Sequence, residues 1–227
     1  DLTGNGSPDL VVAGEWMPLT IFLNQRGQLD RARGDSVGLD STHGWWRNLA
    51  LVDLNGDGAK DLIGGNHGLN SRFEATKERP VHLWVGDLNR NGSVEHIFGN
   101  YSEGKGPYPM ALRQDIIQEL PYLRARYPSF SDYAGTTVGE MFTQKQLERT
   151  IHHQVYQLAS VVGWNRGDGT FRIDSLPFRA QLAPMYGLLG EDLNCDGAPE
   201  ILMGGNMEAV DPQVGSYEAT DGVLLRQ

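Results

Sequence analysis

Cysteine is nearly missing from this chain. Cys195 stands alone, so no disulfide framework can staple the fold. Long apolar runs are missing as well. No stretch approaches the roughly 18 residues of a membrane span, and no basic leader followed by an apolar segment marks a signal peptide. Basic residues are few: Lys and Arg total 19 against 29 Asp and Glu, a net charge of −10. That balance argues against nucleic acid or an anionic membrane as the main partner. A nucleophile elbow, a phosphate loop and a poised Cys–His pair are all absent, so no catalytic residue is named and the chain reads as a non-enzyme.

Glycine, by contrast, is plentiful at 29 of 227 residues, as many tight turns between short strands require. The glycines gather in a recurring pattern. Asp53-Leu-Asn-Gly-Asp-Gly-Ala-Lys-Asp61 runs into Leu-Ile-Gly-Gly-Asn66, and Asp192-Leu-Asn-Cys-Asp-Gly-Ala-Pro-Glu200 runs into Ile-Leu-Met-Gly-Gly-Asn206. Asp87-Leu-Asn-Arg-Asn-Gly-Ser-Val-Glu95 precedes His-Ile-Phe-Gly-Asn100, and Asp1-Leu-Thr-Gly-Asn-Gly-Ser-Pro-Asp9 precedes Leu-Val-Val-Ala-Gly14. Four copies make this a repeat protein.

The alternation places hard oxygen donors on one side of a tight loop, which suits Ca²⁺. Side chains at the first, third, fifth and ninth positions are the expected ligands, with the backbone carbonyl of the seventh. In the first loop these are Asp1, Thr3, Asn5, Asp9 and the carbonyl of Ser7. In the second they are Asp53, Asn55, Asp57, Asp61 and Ala59, and in the third Asp87, Asn89, Asn91, Glu95 and Ser93. In the fourth they are Asp192, Asn194, Asp196, Glu200 and Ala198. Loops two and four carry three carboxylates each and are expected to bind more tightly. An EF-hand would need Glu at the twelfth position, where Val12, Gly64, Phe98 and Met203 stand instead.

Strands are expected over 9–14, 19–23, 45–52, 81–85, 154–162 and 182–191, with a hairpin turn at 165–169 echoing one at 24–27. Leu112, Ile116, Ile117 and Leu120 have helical spacing. Pro121 and Pro128 end helical segments, Ser129 or Ser131 caps the next, and 139–147 is a further helical candidate. The loops begin at residues 1, 53, 87 and 192, leaving gaps of 52, 34 and 105. A propeller blade takes roughly 40–50 residues. The first gap fits one blade, the second a blade lacking a strand, and the third one or two blades plus the helices. The expected fold is all-β: a partial β-propeller of about four antiparallel blades with Ca-binding loops. Blades occupy 1–105 and 151–227 in one domain, and a helical insertion occupies 106–150.

The loop pattern, the Gly-Gly-Asn after it and the turn Asn165-Arg-Gly-Asp-Gly-Thr-Phe171 together resemble FG-GAP/VCBS repeats. These are the calcium-binding blades also found in the propeller of integrin α subunits. Gly14-Glu-Trp-Met-Pro18, Gly44-Trp-Trp46, Gly104-Lys-Gly-Pro-Tyr-Pro109 and Ala180-Gln-Leu-Ala-Pro184 are similar to stretches of large VCBS-repeat surface proteins of Bacteroidetes-type bacteria. The resemblance covers nearly the whole chain. It implies an extracellular or outer cell-surface module with Ca²⁺ as cofactor, and a protein or glycan as partner alongside other blades of a longer chain. The chain opens inside a repeat loop and closes in a hairpin-like stretch at 221–227, which reads as a fragment. The alternatives are a Ca²⁺-dependent polysaccharide lyase or hydrolase, and a purely structural spacer.

Other motifs have plainer readings. Arg33-Gly34-Asp35 and Arg166-Gly167-Asp168 read as turns rather than integrin ligands. His152 and His153 point to opposite faces of a strand and cannot clamp one ion between them. Trp45 and Trp46 likewise diverge, one to the core and one to the rim. Asn5, Asn91 and Asn100 match the glycosylation triplet and are discounted. Cys195 faces solvent in a non-ligand slot of loop four.

Overall fold

Repeat loops turn the chain between short antiparallel strands, and the sheets grow from those hairpins. In the computed structural model, residues 1–102, 106–208, 210 and 215–226 are described. The chain begins with β1 (Leu10–Val12), β2 (Glu15–Met17), β3 (Thr20–Gln25) and β4 (Gln28–Arg31), then the one-turn helix α1 (Gly34–Val37). Next come β5 (Gly44–Trp45), β6 (Asn48–Val52), β7 (Asp61–Gly65), β8 (Val81–Gly86), β9 (Glu95–Tyr101) and β10 (Pro107–Pro109). Helices α2 (Arg113–Glu119), α3 (Phe130–Tyr133), α4 (Val138–Met141) and α5 (Gln144–Leu147) follow, with a 3₁₀ turn at Pro121–Arg124. The chain then returns to strands: β11 (Ile151–Val155), β12 (Val161–Asn165), β13 (Phe171–Ser175), β14 (Gly187–Glu191), β15 (Glu200–Gly204) and β16 (Val223–Leu225).

These strands form four antiparallel sheets and one ribbon. The first sheet is β1-β3-β4, the second β13-β12-β7-β6, the third β10-β9-β8-β11 and the fourth β14-β15-β16, while β2 pairs with β5. The fold is all-β, of the antiparallel, propeller-blade type. By contacts the chain divides into two units, one of Asp1–Arg72 with Gln157–Gln227 and one of Phe73–Tyr156.

In the first unit, the second sheet is covered on both sides, and the alternation of side chains along a strand is the cause. Leu62 and Val161 face Leu19 and Ile21 of the first-sheet region. Their chain neighbours Ile63 and Val162 face Ile201, Met203 and Val223 of the fourth sheet. Full burial of one such side chain contributes about 1.5–3 kcal/mol, so two apolar faces back to back hold three sheets together. Close approach is secured at Gly64, where a Cβ would stand 2.8 Å from the Trp46 ring. The far face of the fourth sheet carries Leu189, Leu202 and Leu224, aligned across the strands and exposed.

The second unit has one sheet and a different cover. Trp84 and Ile97, opposite each other on β8 and β9, pack under Ile116, Ile117, Leu120, Leu123, Val138, Met141 and Phe142 from the helical segment. Helices α3, α4 and α5 start at Ser129, Thr137 and Thr143, while α2 starts at Leu112 without a side-chain cap. The Ser129 N–H donates to Asp132 Oδ2 at 3.0 Å while the Asp132 N–H donates to Ser129 Oγ at 3.3 Å. Thr137 and Glu140 repeat the reciprocal pair, and the Thr143 N–H donates to Gln146 Oε1 at 3.0 Å. Each is a capping box readable from residue spacing.

The uneven gaps between loops have a topological cause. The second sheet is interrupted: the chain leaves it after β7, builds the whole unit Phe73–Tyr156, and returns as β12 to pair with β7. The 34-residue gap is therefore half a sheet and not a blade lacking a strand. Two expected strands also divide. Residues 45–52 become β5 and β6 because Trp46 turns into the core, its Nε1–H donating to Thr42 O at 2.8 Å. Residues 154–162 divide between β11 and β12, which lie in different sheets. The strand expected over 182–191 is confined to β14, since Pro184 has no N–H for a ladder. Gly104 and Lys105, part of one resemblance segment, lie outside the described residues. Among the described residues no helix is long and apolar enough to cross a membrane.

Candidate functional site

The four loops share one hydrogen-bond scheme. The first-position carboxylate accepts the N–H groups of the fifth and sixth residues: Asn5 and Gly6 to Asp1, Asp57 and Gly58 to Asp53, Asn91 and Gly92 to Asp87, Asp196 and Gly197 to Asp192. The third-position Asn accepts from the fifth N–H at Asn55, Asn89 and Asn194. Thr3 stands in that place in the first loop. The fifth-position oxygens of Asn5, Asp57, Asn91 and Asp196 accept from Ser7, Ala59, Ser93 and Ala198, at 2.7–2.9 Å. The ninth-position carboxylate reaches back to the second N–H: Asp9 to Leu2, Asp61 to Leu54, Glu95 to Leu88 and Glu200 to Leu193. Acidic and amide oxygens thus line the inside of each loop. The twenty residues singled out by spacing fall into four separate groups of five.

The ninth carboxylate has a second task that spacing does not show. In the first two loops its other oxygen accepts a turn asparagine on a neighbouring strand, Asn24 N–H to Asp9 at 2.8 Å and Asn165 N–H to Asp61 at 2.8 Å. In the other two a Glu takes the side-chain amide of its own loop, Asn89 or Asn194. The recurrence of Asn at the two hairpin turns was the available signal for Asn24 and Asn165.

Electrostatics separate the loops. Asp61 is fully buried, and burial raises its pKa. The N–H groups of Asn165 and Leu54 oppose that shift, while Asp57 and Asp53 add to it. No Lys or Arg pairs with these three carboxylates among the described residues. Glu200, equally hidden, has Arg226 at 3.8 Å. The Gly92 N–H holds Asp87 below the usual carboxylate range, and the Ala198 N–H and Asn194 do the same for Asp196. Among the described residues no three His, Cys, Asp or Glu side chains are grouped to hold an ion, so the loop donors must be counted with their amides and carbonyls. The fourth position adds strain: Gly4 and Gly56 have φ of 71° and 75°, but Arg90 and Cys195 sit there at 61° and 63°. Left-handed backbone costs a non-glycine residue about 1–2 kcal/mol.

Residues 1–64, which hold the first two loops, match the family described as FG-GAP-like repeat. Those residues are an FG-GAP-like repeat. No curated protein matches the chain. The third and fourth FG-GAP-like loops lie beyond the matched residues and repeat the same bonds.

A few residues past each loop stand a polar residue and a large one: Glu15-Trp16 in β2, Asn66-His67 just after β7, Asn100-Tyr101 at the end of β9 and Asn206-Met207 after β15. In the first unit the rings among them join one row. Trp16 stands edge-on to Trp45 (5.3 Å between centroids), Trp45 to His67 (5.0 Å) and His67 to Tyr217 (4.9 Å). Both Trp45 and Trp46 are buried, so the expected rim position for one of them is not found. Burial lowers the His67 pKa to about 4, and Arg47 adds to the shift. In the second unit, His152 and His153 do diverge, but the sheet brings His152 Nε2 to 2.8 Å from His82 Nδ1, with Trp84 stacked against both rings. Cross-strand register put them together, which no spacing in the sequence reveals. Of the two Arg-Gly-Asp tripeptides, Arg33 pairs with its own Asp35 at 3.0 Å. Asp168 caps its turn by accepting the Thr170 N–H and hydroxyl. Asn100 is buried.

Proposed function

We propose that this chain is a calcium-stabilised, extracellular FG-GAP module that binds a protein or glycan. The observation that carries the reading is Asp61: a fully buried carboxylate beside Asp53 and Asp57, with no Lys or Arg paired to any of them among the described residues. Two backbone donors alone do not offset the burial of a charge next to two like charges. The donor set fits Ca²⁺, which takes six to eight hard oxygens from carboxylates, amides and carbonyls together. Asp53, Asn55, Asp57, Asp61 and the carbonyl of Ala59 would hold it in the second loop. The equivalent residues of loops one, three and four follow the same scheme. A bound ion would neutralise the clustered acids and add its binding energy to folding. Loop four needs it less, because Arg226 already faces Glu200.

The loops bond mostly within nine residues and, through Asp9 and Asp61, to a neighbouring strand, so their role is architectural, and the partner surface lies elsewhere on the sheets or the helical segment. Binding is preferred over polysaccharide cleavage because the loop acids are engaged with backbone N–H groups. The test is thermal unfolding in millimolar Ca²⁺ and in chelator. A clear rise in Tm with Ca²⁺, reversed by chelator and reduced by Asp61→Asn, is expected. Identical melting curves in both conditions would refute the reading.

A further inference from the structure

Loop three meets the helical segment of the second unit at a cleft of about 500 Å³. Buried leucines fix its walls. Leu88 anchors the loop, Leu120 and Leu123 anchor the 3₁₀ turn that carries Tyr122, and Leu147 packs α5 against the same core. Gln146 ties these walls together. Its Nε2 donates to Leu88 O at 3.0 Å and to Tyr122 Oη at 3.3 Å, while its Oε1 accepts the Thr143 N–H and hydroxyl. The cleft is therefore part of a fixed frame.

Its charge runs against that of the chain. Arg90, Lys145 and Arg149 line it and no carboxylate does, although acids outnumber bases 29 to 19 overall. None of the three cations has an ion pair or a side-chain hydrogen bond among the described residues. The neighbouring Asp87 and Glu95 turn into loop three, where they accept the N–H groups of Gly92 and Leu88. That Gly92 N–H does most to lower the Asp87 pKa, and Arg149 adds to the shift. Two of the placements are locally unfavourable. Arg90 has φ of 61° where loops one and two carry Gly4 and Gly56, a conformation that glycine adopts freely and arginine does not. Lys145 and Arg149 stand four residues apart on helical backbone, a spacing at which like charges repel. Cys195 shares the strain of Arg90 in loop four, so it is the convergence with Lys145 and Arg149 that singles Arg90 out. Local rules broken together in one cleft point to a function there.

We propose that Arg90, Lys145 and Arg149 bind a short acidic saccharide, its sulfate or carboxylate groups resting on the three cations. The cations alone name an oxyanion. The volume and the neutral groups name what carries it. The cleft lies in the size range of small-molecule sites and is more than one free sulfate fills. Tyr122 Oη accepts from Gln146, and its own hydrogen is uncommitted among the described residues. Partial burial raises its pKa, so it stays a donor for a sugar hydroxyl. A net charge of −10 disfavours a long polyanion, which leaves a ligand of one or two rings. The inference rests on the binding-module reading and names its ligand class.

The experiment titrates the whole chain by calorimetry, in Ca²⁺, with a sulfated disaccharide, a uronic disaccharide, their neutral parent and sodium sulfate. At least one acidic disaccharide is expected to bind, with the neutral parent about tenfold weaker or more, and added NaCl should weaken the acidic ligand. Arg90→Gly removes a cation while relieving the left-handed strain. It is expected to weaken the acidic disaccharide about three- to fivefold with Tm unchanged or raised, a combination that a purely structural arginine would not give. Should Arg90→Gly lower Tm, Lys145→Gln, at an exposed position, is expected to weaken the same ligand by a similar factor at unchanged Tm. No binding of either acidic disaccharide overturns the proposal, as does sodium sulfate binding as tightly as the disaccharide, or an affinity unchanged in both variants. Equal or exclusive binding of the neutral parent overturns this site and leaves the binding-module reading standing. The Ca²⁺ dependence of Tm, read on the same samples, stands or falls separately.

Discussion

The two units solve one problem in two ways. Each starts from a strand, an FG-GAP-like loop and a second strand, and each leaves an apolar face that must be covered. In the unit of Asp1–Arg72 and Gln157–Gln227 another sheet covers it, through Leu62 on one side and Ile63 on the other. In the unit of Phe73–Tyr156 short helices cover Trp84 and Ile97. The loops keep the same inner bonds under either cover: Asp87 and Asp53 both accept the sixth N–H, and Glu95 and Asp61 both accept the second. The loop is therefore a local device, and the cover is interchangeable as long as it is apolar and well packed.

The comparison breaks most sharply in the cores. Phe142→Ala removes a fully buried ring from the helical cover and is expected to cost about 3–5 kcal/mol. Hydrogen exchange should then accelerate in β8, β9 and the helices before β7 and β12. Leu62→Ala, about 2–5 kcal/mol, should give the reverse order. If both regions lose protection together in both variants, the units fold as one and the comparison fails. Next come the loops. Asp61→Ala orphans the Leu54 and Asn165 N–H groups and is expected to cost about 2–4 kcal/mol. Glu95→Ala orphans one backbone N–H and should cost less, as chemical denaturation would show.

Acid should weaken both units together. His67 in one and His82 in the other have pKa values lowered to about 4 from an ordinary 6.5, in both cases chiefly by burial. The unfolded chain therefore binds these protons first. Stability is full above about pH 6.5 and declines as pH falls toward about 4. Tm measured from pH 7.5 down to 5 should fall, and His67→Phe should flatten the slope. The smallest effect is at the fourth loop position. Cys195→Gly and Arg90→Gly should each raise stability by about 1 kcal/mol, since strain is relieved at some cost in unfolded-state entropy. Gly56→Ala should do the opposite by a similar amount.

Residues in the loops were legible because their bonds are local. A carboxylate at the first position and N–H groups at the fifth and sixth are brought together by the turn itself, whatever lies around them. The same holds for Ser129, whose box with Asp132 closes within three residues. Helical spacing at Leu112, Ile116, Ile117 and Leu120 likewise stated which face would be apolar, and all but exposed Leu112 are buried. Where sequence reasoning went astray, the deciding contact was distant. Residues 45–52 look like one strand until Trp46 is drawn into a core made with Val161 and Phe171. The 34-residue gap looks like a short blade until β12 returns to β7.

What the sequence alone determined, then, is the repeat: strand, loop, strand, the inward turn of the loop oxygens and the caps of the short helices. These follow from backbone geometry and bonds over a few residues. Tertiary structure alone decided which strands share a sheet, which cover lies on each apolar face, and that Arg47 meets both Glu15 and Tyr186. Hydrophobic burial is non-directional, so an alternating strand states that it has an apolar face without saying what will cover it.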